Sequence, residues 1–298
     1  MQRRMLLGGL AKVLISGVAF ASLAVLGQPP GGETLRESAE SVPEEPAPDQ
    51  SEAESGPLTE AEQVLAEEKR AVLAQALVED RSDEWLEEQD LYLVSETPQY
   101  DLVATNSSNI AIYRPDVFYD SDLRRYFVIA EYRWDSMVGE DLYNYFDSSS
   151  SCDVDTPCNV GGKDGFALRF SRNLVNRQAD VNFCGRSDIT RDWANFAGCA
   201  SPPPDANSSA GASFLQQDKV YKTVVKPDYN VYNGQIIIVV DPIACNSTVQ
   251  MFSRYGHTWS STGISAIEVG TAAINIVFTK TEDRWSVASQ SGTWTRSC

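Results

Sequence analysis

The chain has 298 residues, a formal net charge of −18, six cysteines and a single histidine. That length can bury a sizeable core unaided, and acidity on this scale argues against a nucleic-acid partner, because phosphates repel it. One histidine makes a zinc site of the finger type a poor reading and confines any imidazole chemistry to His257.

The chain opens on an export leader. Arg3 and Arg4 precede an apolar run that ends at Val25-Leu26-Gly27, the layout of a positive start, a hydrophobic segment and a small residue before a cleavage point. The apolar run 13–26 is shorter than the ~20 residues that span a bilayer. A cleaved signal is therefore favoured over an uncleaved signal anchor. The arginine pair also fits a twin-arginine leader, which points to a bacterial source. Two ordinary leader charges are the competing reading. Export places the cysteines in an oxidising compartment and makes them expected disulfide partners.

The expected domains are the export signal over 1–27, an acidic spacer over 28–57, a helical segment over 58–90 and a β domain over 91–298. Residues 28–90 hold 19 Asp and Glu against four Arg and Lys, a net of −15, whereas 91–298 carry only −6. The acidity thus belongs to one segment and describes no surface of the β domain. In 28–57 the only aliphatic side chains larger than alanine are Leu35 and Val42. Such a stretch cannot offset roughly 1–2 kcal/mol of backbone entropy per residue. It reads as a disordered, self-repelling spacer.

A helix is expected next. Thr59 and Glu62 form a T-x-x-E capping box behind Pro57. Val64, Leu65, Val72, Leu73, Ala76 and Leu77 recur at helical spacing, which predicts a narrow apolar stripe packed on the domain. A coiled-coil or partner-binding helix is the rival reading, and the pattern lasts about three heptads at most. A second short turn is expected over 83–88, carrying Trp85 and Leu86.

From Leu91 the period becomes two. Tyr126, Val128, Ala130, Tyr132 and Trp134 share one face of a predicted strand, opposite Phe127 and Ile129. Phe166, Leu168 and Phe170 alternate with smaller or polar residues, as do Ile274, Ile276 and Phe278. The run 235–240 reads as a central strand buried on both faces, and Asn233-Gly234 before it as a hairpin turn. Further hairpin loops are expected at 120–125 and 280–283. Shorter strands are expected at 109–113, 179–183, 220–225, 248–252 and 265–269. The expected fold class is all-β: a disulfide-stabilised antiparallel β-sandwich, jelly-roll-like, with an irregular barrel as second choice.

Arg114-Pro115-Asp116-Val117-Phe118-Tyr119-Asp120, followed by Arg125-Tyr126-Phe127, resembles one blade motif of five-bladed propeller glycosidases. Ser289-Gln290-Ser291-Gly292-Thr293-Trp294 resembles the Asp-box of sialidases without its aspartate. Each occurs once, and a propeller repeats its motif. Neither resemblance implies the fold.

All six cysteines, Cys152, Cys158, Cys184, Cys199, Cys245 and Cys298, lie in the β domain, and six allow 15 connectivities. Short loops favour Cys152–Cys158 and Cys184–Cys199, leaving Cys245–Cys298.

Catalytic candidates are few. A nucleophilic triad would have to use His257, and there is no G-x-S-x-G elbow. Against that stands a packed or hydrogen-bonded histidine beside Trp259. Glu131 and Asp135, near Tyr132 and Trp134, could act as the paired carboxylates of a glycosidase, which flank a sugar about 5–10 Å apart. The competing reading makes Glu131 the outward residue of its strand. Asp147, Asp153, Asp155, Asn159 and Asp164 lie within 18 residues and offer oxygen ligands suited to calcium. Without an ion the same stretch is a solvated acidic loop fastened by a disulfide.

The expected function is that of an exported or cell-surface binding and interaction module, with Tyr132, Trp134 and Tyr145 as stacking aromatics. A secreted carbohydrate-active hydrolase is the rival class. The expected partner is a surface carbohydrate or protein, with membrane contact only through an uncleaved leader. No cofactor is expected beyond a structural calcium.

Overall fold

Why sheets dominate is visible residue by residue: alternating apolar positions need two packed layers to hide one face each. The computed structural model describes residues 56–79, 81–95, 110–134, 157–185, 199–221, 228–259, 261–289 and 291–297. The expected export signal and, apart from residues 56 and 57, the expected spacer lie outside them.

Two helices come first, α1 (Glu60–Glu79) and α2 (Asp83–Glu87). The strands follow: β1 (Leu91–Leu93), β2 (Ile110–Ile112), β3 (Asp116–Asp120), β4 (Arg125–Trp134), β5 (Pro157–Phe170), β6 (Asn176–Cys184), β7 (Cys199–Ala200), β8 (Ala206–Ser208), β9 (Gly211–Tyr221), β10 (Asp228–Tyr229), β11 (Asn233–Val240), β12 (Thr248–Thr258), β13 (Ile264–Val269), β14 (Ile274–Phe278), β15 (Arg284–Ala288) and β16 (Gly292–Thr295). The first sheet runs β1-β3-β4-β11-β6-β7, with β2 also on β4. The second runs β10-β9-β5-β12-β15, with β16 also on β12 and β8 on β9. All these pairings are antiparallel. The long strands β4, β5, β6, β9, β11 and β12 alternate between the two sheets in chain order. The fold is therefore an antiparallel sandwich, as the alternation implied.

The main core lies between the sheets. The face of β4 carrying Tyr126, Val128, Ala130, Tyr132 and Trp134 meets Phe166, Leu168 and Phe170 of β5 and Tyr255 of β12. Aromatic rings bridge the layers: Tyr132 sits 4.9 Å from Phe166 and 4.2 Å from Tyr255, and Tyr126 sits 4.5 Å from Trp294. Such pairs add about 0.5–1.5 kcal/mol each beyond their buried area.

The opposite face of the first sheet is covered by the helices. Phe118, Phe127, Ile129, Ile237 and Val239 pack against Leu58, Ala66, Leu73, Ala76 and Leu86. This is why β11 is buried on both faces, as its unbroken apolar run predicted. The outer face of the second sheet is covered by the β13–β14 hairpin, through Ile264, Ile267 and Ile274 against Ala167.

Helix α1 starts as expected. Glu62 N donates to Thr59 Oγ1 at 3.3 Å and Thr59 N donates to Glu62 Oε2 at 2.7 Å. The Thr59 hydrogen bonds hold the Glu62 carboxyl below its ordinary pKa. The buried stripe differs from the expected one. Val64 is exposed, while Ala66, Lys69, Leu73 and Ala76 face the sheet. Lys69, which is not among the expected stripe residues, is buried with its charge paired. Nζ lies 3.1 Å from both Asp120 and Asp122 and donates to Gln89 O at 2.7 Å. No helix among the described residues is long and apolar enough to cross a membrane. The short helix α2 is capped by Ser82, whose Oγ accepts from Trp85 N at 3.3 Å, and it buries Leu86.

Two turn expectations need correction. Asn233-Gly234 is not a hairpin: both residues are in β11, paired with Arg133 and Tyr132 on one side and Cys184 and Phe183 on the other. The glycine is there because a Cβ would stand 2.1 Å from the Tyr132 ring. Residues 280–283 connect strands that do not pair with each other, since β14 joins β13 and β15 joins β12. The 121–124 turn does close a hairpin, between β3 and β4. Its Arg124 adopts φ 54°. That hairpin holds the propeller-like motif, now inside a sandwich.

Cys184 and Cys199 are bonded to each other, joining β6 to β7. Cys158 and Cys245 are also disulfide-bonded, while Cys152 and Cys298 lie outside the described residues.

Candidate functional site

Strand parity brings three ionisable residues together. On β5 the inward series Phe170, Leu168, Phe166 continues to Asp164. On β12 the inward series Met251, Ser253, Tyr255 continues to His257. On β9 the series Ala212, Phe214 continues through Gln216 to Asp218. Because β5 lies between β9 and β12, these continuations meet at one end of the inter-sheet core. All three side chains are 0% exposed. One ligand atom from each lies within 4.8 Å of the others.

The local backbone is built to aim them. Register between β5 and β9 shifts between Asn159 and Lys163, immediately before Asp164. This irregularity contains Gly161 at φ 143°, a conformation that glycine adopts without a Cβ penalty. Gln217 Nε2 donates to Gly161 O and Gly162 O at 3.0 Å each and so holds that bend. Asn230 pins the backbone around Asp218: its Nδ2 donates to Gln217 O at 2.9 Å, and its Oδ1 accepts from Lys219 N at 2.8 Å.

The two carboxylates are treated differently. Asp164 Oδ2 accepts from Tyr255 OH at 2.5 Å and lies 2.8 Å from His257 Nδ1. Its Oδ1 accepts from Thr258 N at 2.9 Å. Asp218 has no hydrogen-bond partner on either oxygen. Burial, and then repulsion by Asp164, pushes its pKa well above the carboxylate range. Burial first, then the Asp164 charge, likewise holds the Tyr255 and Tyr132 phenols well above their ordinary value. His257 is walled by indoles: ring centroids of Trp134, Trp285 and Trp259 lie 5.2, 5.4 and 5.8 Å away. The arrangement can hold a proton or a cation between strands, and its burial keeps a bulky substrate away.

The expected site residues fall in different places. His257 is a packed, hydrogen-bonded strand residue. Asp164 is not part of a solvated loop; it is a buried strand residue, because its parity is that of Phe166. Asn159 is exposed, and Asp147, Asp153 and Asp155 lie outside the described residues. Glu131 faces the helix layer, where its Oε1 accepts from Gln235 Nε2 at 2.8 Å. It therefore points away from His257, to the other side of the first sheet. Tyr132 and Trp134, expected as stacking aromatics for a ligand, are 0% and 4% exposed and fill the inter-sheet core. Their face of β4 is the inner one. Asp135 and Tyr145 lie outside the described residues. Asp218 went unrecognised in the sequence. The signal was its parity with Phe214 and Val220, an acidic residue on an inward face.

No protein-family model matches the chain, and no curated protein matches it. Among solved structures it is similar to Clostridium perfringens delta-toxin at 6% identity, over 67% of this chain and 92% of that chain, with a TM-score of 0.21. A likeness of that size carries no argument.

Proposed function

We propose that this chain is an exported or cell-surface binding and interaction module built on a β-sandwich. The observation that carries this reading is the sealing of its ionisable centre: Asp164, Asp218 and the chain's single histidine are 0% exposed. General acid–base catalysis needs a group within hydrogen-bond reach of a substrate proton. A site closed by three indoles and two sheets offers no such reach. Glu131, the described member of the proposed carboxylate pair, is bound to Gln235 under a helix. The leader-like start and the acidic spacer suit a domain displayed away from a membrane or wall, with a carbohydrate or protein as ligand.

The test is a screen of the purified protein against cell-surface polysaccharides and surface proteins, scored for binding and for released reducing ends. Binding without release supports the module. Release that disappears in Glu131→Ala overturns it in favour of a hydrolase.

A further inference from the structure

We infer that Asp164, Asp218 and His257 bind one divalent transition-metal cation, taken up as the chain folds, that ties β9, β5 and β12 together at one end of the core. The first observation is geometric. Three potential ligand atoms from three adjacent strands lie within 4.8 Å of one another. Metal bonds of about 2.0–2.2 Å to nitrogen and oxygen in a tetrahedral set put ligand atoms roughly 3.3–3.6 Å apart, so the widest pair closes by at most about 1.5 Å, a side-chain adjustment.

The second observation is independent of that spacing. Asp218 is fully buried, and neither of its oxygens has a hydrogen-bond partner. No lysine or arginine among the described residues forms an ion pair with it or with Asp164. A buried carboxylate without a cation or a donor costs several kcal/mol. The strand is nevertheless pinned on both sides of it by Asn230. A cation bound between the three side chains removes that cost.

The remaining contacts suit a ligand set. Tyr255 and Thr258 donate to Asp164, as outer partners do when they orient a ligating carboxylate. One imidazole with two carboxylates is a borderline donor set. It fits Zn²⁺, Mn²⁺ or Fe²⁺ better than Ca²⁺, which takes six to eight oxygens. The surrounding indoles shut out water, so loading belongs to folding and exchange from the folded protein is slow. The site lies in the core, apart from any ligand-binding surface. It stands or falls independently of the binding-module reading.

The experiment uses the full chain with its disulfides intact. After exhaustive dialysis against chelator, elemental analysis should find about one transition-metal ion per folded chain. The protein is then unfolded in guanidinium with chelator and refolded without reduction, in parallel with Zn²⁺, with Mn²⁺ and with chelator alone. One of the cations should raise Tm by at least about 4 °C over the chelator sample. Asp218→Asn breaks no hydrogen bond and should fold, while weakening metal binding by at least about tenfold. A wild-type protein that folds without metal and melts at the same temperature in all three conditions overturns the proposal. So does an Asp218→Asn variant that retains the full wild-type metal content. The wild-type melts decide the matter even if the variant does not fold.

Discussion

Asp120 and Asp218 are both 0% exposed, and the protein treats them in opposite ways. Asp120 closes the β3–β4 hairpin. Its Oδ1 accepts from Leu123 N at 2.7 Å, and its Oδ2 lies 3.1 Å from Lys69 Nζ on α1. Burial raises its pKa, and these contacts offset that rise only in part. Asp218 has no such cation and no donor. A second neutralised cluster repeats the Asp120 pattern: Asp241 binds Arg177 through both oxygens and lies 3.1 Å from Arg125 Nε, whose side chain is 2% exposed. A chain that gives Asp120 and Asp241 their own cations, and Asp164 its own hydrogen-bond donors, leaves Asp218 to something from solution, a proton or a metal ion.

The comparison breaks most visibly at Lys69. Lys69→Met should destabilise the fold by about 3–5 kcal/mol, because it leaves Asp120 buried without its cation. Adding Asp120→Asn to that variant should recover much of the loss. Chemical denaturation of the single and double variants measures both effects. If Lys69→Met costs nothing, Asp120 is protonated and the two carboxylates are alike after all.

Asp241→Ala is expected to follow at about 3 kcal/mol, since it removes the carboxylate that pairs with the buried Arg125 and with Arg177. Arg177, at 15% side-chain exposure, keeps water as an alternative partner. A guanidinium midpoint unchanged from wild type would count against the pairing.

A smaller effect is expected at high pH. Burial holds the phenols of Tyr119, Tyr126, Tyr132 and Tyr255 above the ordinary value of 10.0. At Lys69 burial opposes the charge, yet hydrogen bonds to Asp122 and Asp120 hold its pKa above 10.5. With folded pKa values raised, the unfolded chain releases protons first and stability falls as pH rises. These groups leave stability flat below about pH 9 and lower it above about pH 10, by roughly 1.4 kcal/mol per group for each unit of separation. Denaturation midpoints at neutral pH and at about pH 10.5 give the slope. A midpoint that does not move between them contradicts the raised values.

The smallest effect sharpens the contrast from the other side. In chelated, metal-free protein Asp218→Asn should cause no loss of stability, since it removes a buried carboxylate that has no cation and breaks no hydrogen bond. Equal losses for Asp218→Asn and Lys69→Met under chelator would show that Asp218 has a partner of its own.

Much of this molecule was readable residue by residue. The Thr59–Glu62 capping box, the two faces of β4, the doubly buried β11 and the Cys184–Cys199 bridge are all present. Each is set by neighbours a few residues apart or by simple parity, and such short-range information is complete in the sequence. The errors share one cause. Asn233-Gly234 has the composition of a turn, but the Tyr132 ring 102 positions earlier in the chain is what requires the glycine. Tyr132 and Trp134 were expected as ligand contacts because nothing local says which face of a strand becomes the inside. Nothing local marks Lys69 as buried; the Asp120 and Asp122 carboxylates, about 50 positions later, pair its charge.

The candidate site shows the same division. Parity alone places Asp164 on the face of Phe166, His257 on that of Tyr255 and Asp218 on that of Phe214, although Asp164 was expected in a solvated loop and Asp218 was not singled out. That the three inward faces meet was decided by the order β9-β5-β12 and by the register shift before Lys163. Alternation is a property of one strand and costs nothing to read from its residues. Adjacency and register depend on contacts between strands far apart in the chain, which exist only once the sheets have packed.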